Sequence, residues 1–389
     1  DESEGPRGRV GMARALAEGH LQVTPDLVEH ELNCLVCDAC TAVCPAGVHM
    51  DPLQVALRSA LESEPEPRPP AVQLVRWLIF GWLFMDLARF RLFARLIWIY
   101  QRVGLRWLAR RLGILRLARL ETLERLLPEV PRHFVTPRDE MYQSASTEAS
   151  PSAFFAGCIM ATAFADIDRA TLRVLQRAGY AVRNPQAQGC CGALHAHTGD
   201  LARAMQLAKT NIAAFAHTDG PIVVNSAGCG AMLKDYAHHL RHDPAWSARA
   251  KVFSGRVRDL SEAVVDRPFP ITRELRQKVV LQDACHLLHA QRISRQPRDL
   301  LRRIPGLALA EIGEAGLCCG SAGVYNVTNP VQSRQLQRRK LDNALAQHPD
   351  LIVTSNPGCL LQLESGLLER GSPVSVKHLA EVLDEATRP

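Results

Sequence analysis

The sequence has no secretory signal and no long apolar run. Its start, Asp1-Glu2-Ser3-Glu4, is acidic and polar where export requires a basic segment followed by an apolar core. The expectation is therefore a cytoplasmic protein. The longest uncharged stretch of its most apolar part, Trp77 to Met85, has nine residues, whereas a helix needs about 20 to span a bilayer. No glycine-rich dinucleotide fingerprint follows a strand, and no Walker-type phosphate loop is present. A Ser-His-Asp or paired-carboxylate arrangement is equally missing from the linear order. The first thirty-three residues hold no cysteine, and the chain opens without methionine. The N-terminus is thus expected to be cut short of a natural start.

What is present fits a globular protein of several cores. At 389 residues the chain exceeds the roughly 100 to 200 of a typical domain. Hydrophobic residues make up 47% and charged residues 22%, which excludes a largely disordered chain. The net charge is +6, yet residues 72 to 120 carry ten arginines against the single acid Asp86, leaving the remainder acidic. A nucleic-acid binder would spread positive charge over its folded domains. Here the charge sits in one apolar stretch holding four of the five tryptophans, Trp77, Trp82, Trp98 and Trp107. That composition suits a helix lying in a membrane interface and equally a helical hairpin packed on the rest of the chain.

The twelve cysteines fall into three groups of four. Without an export signal such grouping points to metal ligation or redox chemistry rather than disulfides. The first group, Cys34, Cys37, Cys40 and Cys44 followed by Pro45, has the Cys-x-x-Cys-x-x-Cys-x-x-x-Cys-Pro spacing of a bacterial ferredoxin run. Two-residue gaps let one loop wrap a [4Fe-4S] cluster, whereas zinc ribbons use two separated knuckles. In two-cluster ferredoxins the fourth cysteine serves the other cluster, so a second run is expected. Either Cys44 completes a lone cluster, or a first run lies upstream of Asp1; the second is the expectation.

The other two groups repeat one pattern. Cys158, Cys190, Cys191 and Cys229 are matched by Cys285, Cys318, Cys319 and Cys359, at separations of 127 (Cys158 to Cys285), 128 (Cys190 to Cys318) and 130 (Cys229 to Cys359). Gly189-Cys190-Cys191-Gly192 answers Leu317-Cys318-Cys319-Gly320, and the Asn225 to Cys229 phrase answers Asn356 to Cys359. An internal duplication follows. Each copy alternates short apolar runs with amphipathic ones, predicting parallel strands with crossover helices. Strands are expected at 153–156, 222–224, 279–281 and 351–354, with a helix at 166–178 stopped by Gly179. The cysteines then follow strand ends, where open α/β sheets bind ligands. The neighbouring glycines are expected to let the backbone approach a bulky inorganic group. The alternative is that the thiols are small buried hydrophobes, but adjacent side chains on a strand face opposite ways. Cys190 and Cys191 therefore need a special turn to serve one site. His195, His197, His286 and His289 lie near these cysteines and are expected either as hydrogen-bond donors or proton relays beside the thiols, or as merely solvated.

These phrases, with Pro6-Arg7-Gly8-Arg9, Ala284-Cys285-His286-Leu287-Leu288-His289-Ala290-Gln291 and Cys318-Cys319-Gly320-Ser321-Ala322-Gly323-Val324-Tyr325-Asn326, resemble the iron-sulfur subunit of glycolate oxidase (glycolate dehydrogenase). Related subunits occur in anaerobic glycerol-3-phosphate dehydrogenase and heterodisulfide reductase. The resemblance covers nearly the whole chain. It implies an α+β and α/β multidomain fold: a ferredoxin-type domain at 1–61, a linker at 62–70, a basic helical region at 71–127, a second linker at 128–152, and cysteine-rich CCG domains at 153–266 and 267–389.

The same resemblance implies an electron-transfer subunit that does not oxidise glycolate alone. A partner flavoprotein carries the FAD and oxidises the 2-hydroxy acid, and two cubane clusters relay electrons toward quinone. It also implies that Cys34, Cys37 and Cys40 hold one cubane, that Cys44 belongs to another, and that the CCG domains carry a further cluster in some relatives. Peripheral attachment to the cytoplasmic face of the inner membrane is expected. Alternatives are a thiol-disulfide reductase subunit, a lactate or glycerol-3-phosphate dehydrogenase subunit, and a zinc-bound scaffold.

Overall fold

A computed structural model describes residues 2–63, 69–117, 124, 127–144, 146, 148–268 and 270–388. Most of the first expected linker, residues 64–68, lies outside the described residues. The helix Met50–Ser63 runs into that segment and another begins at Pro70.

The N-terminal part is helical: Pro6–Ala17, Pro25–Leu32, Ala39–Val43 and Met50–Ser63. The second of these starts where Thr24 accepts from the Leu27 N–H and Pro25 occupies the first turn. The Pro-Arg-Gly-Arg phrase has a packing reason. A side chain on Gly8 would collide with the Glu2 carbonyl, and buried Arg9 donates to the His30 carbonyl at 2.8 Å and the Glu4 carboxylate at 2.6 Å.

The basic region bends back on itself. Helix Pro70–Arg76 continues as a π-helical stretch, Trp77–Leu83, and then meets Leu87–Arg102 at 115°. Asp86 caps the latter, accepting from the Ala88 and Arg89 N–H groups. Among the described residues no single helix is long and apolar enough to cross a membrane. One face, with Leu83 and Phe90, packs into the core of the following domain. The other leaves Leu74, Trp77, Trp82, Leu92, Leu96 and Trp107 exposed, with Arg89 stacked over Trp82 and Arg111 over Trp107. The expected packing of this region on the rest of the chain is thus present on one face, and the opposite face is exposed and apolar.

Two sheets follow. The first has β1 (Glu140–Tyr142), β2 (Ser150–Phe155), β3 (Tyr180–Asn184), β4 (Ile222–Val224) and β5 (Val257–Asp259), in the order β1-β3-β2-β4-β5. The second has β6 (Lys278–Leu281), β7 (Ala308–Ala310), β8 (Leu351–Thr354) and β9 (Ser375–His378), ordered β7-β6-β8-β9. Apart from β1, which pairs antiparallel with β3, all neighbours are parallel and the two orders are the same. The predicted strands appear within a few residues, and the predicted helix spans Ala165–Arg177. The expected linker at 128–152 needs correction, since it contributes β1 and the first residues of β2.

The two sheet domains lock together. Arg173 grips the Asp384 carboxylate through two hydrogen bonds of 2.8 Å, joined by Arg177 at 2.8 Å. The equivalent loops after β4 and β8 meet directly: the Ala227 N–H donates to the Ser355 carbonyl at 3.0 Å, and the Gly228 N–H to Asn356 Oδ1 at 3.1 Å.

Candidate metal centres

In each sheet domain the first and third strands are neighbours, flanked by the second and fourth, which creates a topological switch point at their carboxyl ends. The cysteines occupy that position. Cys158 follows β2, Cys229 opens the helix after β4, and Cys190-Cys191 lies in the loop after β3. In the first copy the free thiol of Cys158 lies 3.6 Å from Cys190 Sγ, and thiol hydrogen bonds continue from Cys190 to Cys191 and from Cys191 to Cys229. The second copy repeats the chain: Cys285 to Cys318, Cys318 to Cys319, and Cys319 Sγ to Cys359 Sγ at 3.3 Å. All but Cys229 are buried.

The turn that aims both adjacent thiols inward is built by glycine. Gly192 and Gly320 adopt φ of 86° and 90°, where residues with a Cβ are strained. Their missing side chains face protein, contrary to the expectation of an inorganic neighbour. A Cβ on Gly192 would lie 3.2 Å from the Ala204 backbone, and one on Gly320 2.4 Å from the Ser333 carbonyl oxygen. These glycines press the thiol loops onto helices Leu201–Ala214 and Pro330–Leu345.

Polar side chains then fix the loop. Asn211 accepts from the Gly189 N–H at 2.8 Å and donates to the Cys190 carbonyl at 2.9 Å, while the Tyr236 hydroxyl donates to the Cys191 carbonyl at 2.7 Å. Gln188 accepts from the Ala156 N–H at 2.8 Å, tying the end of β2 to the Cys190 loop. In the second copy Ser333 donates to the Gly320 carbonyl at 2.7 Å and accepts from Gln362 at 2.9 Å.

The thiols resist ionisation unless something compensates their charge. Hydrogen bonding to Cys190 and burial push Cys158 up, hydrogen bonding to Cys190 and Cys229 with burial pushes Cys191 up, and Cys319 is held down by a hydrogen bond from Cys318 but pushed up on balance by Cys359 and burial. Cys190 is the exception, held toward thiolate by hydrogen bonds from Cys158 and Cys191 and by the Gly192 N–H. Among the described residues no three His, Cys, Asp or Glu groups surround one point as a single ion requires. Four soft sulfurs in a row suit a polynuclear iron–sulfur group better than one zinc ion.

The four cysteines of the first run do not share one environment. Burial pushes Cys37 up to about 11, and burial with the nearby Cys37 and Cys34 raises Cys40. Cys44 stands apart, lowered by the backbone N–H groups of Val48 and Ala46 and influenced by no other thiol. The loop docks on the second sheet domain: Cys285 is among the groups acting on Cys37, and Tyr325 feels both Cys34 and Cys318.

Of the four histidines, only His286 touches a thiol, its Nδ1 lying 3.5 Å from Cys285 Sγ. His195 Nε2 pairs instead with the Phe80 carbonyl at 2.9 Å, fastening the basic region to the first CCG domain. His289 pairs with the Gly316 carbonyl at 2.9 Å. His197 stacks on His286, ring centroids 5.5 Å apart, and approaches Asp51 at 3.6 Å. Around this junction burial pushes Asp235 up to about 7 and His239 down to about 4. Asn211, Tyr236 and Gln188 carried no signal in the sequence, since polar residues in helices and loops read as solvated. Tyr325 lay within the most specific phrase.

Comparison with known proteins agrees with this geometry. The cysteine-rich CCG domain family matches residues 152–234 and 279–364. The linker region of the glycolate oxidase iron-sulfur subunit matches residues 71–127. The probable glycolate oxidase iron-sulfur subunit of Bacillus subtilis (strain 168) is 38% identical over 395 residues, covering 99% of this chain and 88% of that protein. The glycolate oxidase iron-sulfur subunit of Escherichia coli (strain K12) is 30% identical over 391 residues, 99% and 89% of the two chains. Lactate utilization protein A of Geobacillus kaustophilus (strain HTA426) is 30% identical over 232 residues, 59% of this chain and 97% of that one. With two sheet domains of one topology, a repeated chain of four thiols and a matching basic connector, this chain belongs to the glycolate oxidase iron-sulfur subunit family.

Proposed function

We propose that this protein is the electron-relay subunit of a flavin-dependent 2-hydroxy acid dehydrogenase, with glycolate as its substrate class, passing electrons from a flavoprotein partner toward quinone. The observation that carries the reading is the packing of helix Ala39–Val43, which holds Cys40, on the His286–Ala290 turn that follows Cys285, with Asn329 donating to Asn33 beside Cys34 at 3.0 Å.

Cys34, Cys37 and Cys40 would hold a cubane, and the two chains of four thiols would hold further iron–sulfur groups. Such groups supply one-electron donors and acceptors. The protein's own part is to exclude water from the sulfurs, to fix the Cys-Cys loops through Asn211, Tyr236 and Ser333, and to hold the ferredoxin loop against the second domain. On this reading the oxidation of the hydroxy acid itself belongs to the flavoprotein partner. The exposed tryptophans, leucines and arginines of the connector give a surface that suits the cytoplasmic face of an anionic inner membrane, where quinone is reached.

A lactate-oxidising complex is the second reading, favoured by the similarity to lactate utilization protein A. The test is anaerobic mixing of this subunit with the flavoprotein subunits of a glycolate oxidase. Glycolate should bleach its visible iron–sulfur absorbance within the turnover time. Bleaching by lactate alone would favour the second reading, and bleaching by neither would refute the relay.

A further inference from the structure

The two thiol chains are alike in sulfur but not in charge. The chain has forty arginines and six lysines, and one lysine, Lys340, is wholly shielded from solvent. It lies midway along the inward face of helix Pro330–Leu345, between Gln337 and Leu341. Its Nζ donates to the Ala315 carbonyl at 2.7 Å and the Glu314 carbonyl at 3.3 Å, just before Cys318 and Cys319. Among the described residues no carboxylate lies within ion-pair distance of that ammonium.

Burial pulls its pKa down, and the groups whose negative charge would oppose this are Asp283, Cys319, Cys359 and Cys318. Asp283 already receives both Nη atoms of Arg298, at 2.8 and 2.7 Å. The Glu314 carboxylate is taken by Arg339 and by Asn343 at 2.8 Å. The sulfur row is what remains unmatched. In the first copy the same stretch of helix Leu201–Ala214 carries Thr210, Asn211 and Ile212, so no cation faces Cys190 and Cys191 from there.

Burying an ammonium without a partner costs several kcal/mol, and two carbonyl hydrogen bonds offset only part of that. We infer that Lys340 is a fixed counter-charge for the second copy, facing the negative charge of an iron–sulfur group held by Cys285, Cys318, Cys319 and Cys359 and making that copy the easier of the two to reduce. This rests on the reading that both thiol chains hold such groups. The step it favours is the gain of one electron, from the partner's reduced flavin or from dithionite in the test, with no bond made or broken and no proton taken. A nearby cation stabilises the more negative state. With the ferredoxin loop on the same side, electrons entering at Cys34–Cys40 are drawn to the second copy before the first.

The test uses the full chain, purified without oxygen and titrated with dithionite under electron paramagnetic resonance. The signal lost in Cys319→Ser identifies the second copy, and the signal lost in Cys191→Ser the first. Lys340→Gln keeps a donor for the Ala315 carbonyl but removes the charge. At fixed potential it should lower the reduced-to-oxidised ratio of the second-copy signal about tenfold, a shift of about 59 mV for a one-electron couple, and leave the first-copy signal in place. Lys340→Arg should stay near the wild type. An unmoved second-copy potential in Lys340→Gln overturns the counter-charge alone. A wild type without any signal that Cys319→Ser removes overturns the site reading, and the counter-charge with it.

Discussion

The guanidinium of Arg58 donates to the Cys34 carbonyl at 2.6 Å and to the His197 carbonyl at 2.7 Å. A third bond, 2.9 Å long, reaches the Glu31 carbonyl. One side chain thus clamps the ferredoxin loop, its own helix bundle and the first CCG domain. Hydrogen bonds from a charged group are worth about 1.5 to 3 kcal/mol each. Arg58→Met should therefore destabilise the N-terminal part by about 3 kcal/mol, read by denaturant titration, and speed iron release from the run. Wild-type stability in that variant would show that the clamp is incidental.

Cys44 feels no other thiol, whereas Cys40 feels both Cys37 and Cys34. Cys40→Ser should thus remove more iron per chain than Cys44→Ser. Equal losses in anaerobic iron and sulfide analysis would mean that Cys44 completes the same cluster.

Asp384 joins the two sheet domains. Burial alone would raise its pKa, but hydrogen bonds from Arg173, Arg388 and Arg177 hold it down at about 2. A depressed carboxyl adds stability that is complete above its unfolded pKa near about 4 and is lost as pH falls through its folded value. Asp384→Ala removes the buried carboxylate shared by the half-exposed Arg173 and Arg388 and the less exposed Arg177, and should cost about 2 kcal/mol at neutral pH. The difference from wild type should shrink as pH drops from about 4 toward 2. A difference that stays constant with pH would remove the ion pair from the explanation.

Asp235 has the opposite sign. Burial, with Asp51 and Asp38 nearby, pushes it up to about 7, so its ionisation opposes the fold as pH rises from about 4 through 7. Asp235→Asn should match the wild type near pH 4 and exceed it above pH 7, by an amount on the order of 4 kcal/mol. Thermal melts across that range measure it, and a gain already present at acid pH would contradict the cause.

The connector carries an exposed apolar face edged with arginine. Binding to anionic vesicles should weaken with salt as screening shortens its reach. Replacing exposed Leu92, Leu96 and Trp107 with serine should cut vesicle sedimentation severalfold while buried Leu83 and Phe90 keep the fold. Unchanged sedimentation would leave this face to a protein partner.

Much of the fold was legible because parallel strands buried on both faces read as plain apolar runs, as in Ile222–Val224 and Leu351–Thr354. The thiols were legible because a repeat fixes them by spacing. β1 was not, since its three residues are mostly exposed and depend on β3, some forty positions away. The direction of His195 was hidden for a similar reason: its partner is a backbone carbonyl in another domain. Glycine was legible as a requirement but not in its cause, because only packing shows that Gly320 meets Ser333.

The most direct test is quinone reduction by the reconstituted complex carrying Cys318→Ser and Cys319→Ser, in which a poor iron ligand replaces two soft thiolates. Glycolate-dependent quinone reduction should fall to background while the flavoprotein still reduces an artificial acceptor. Full quinone reduction by that complex would return these cysteines to the role of buried core residues.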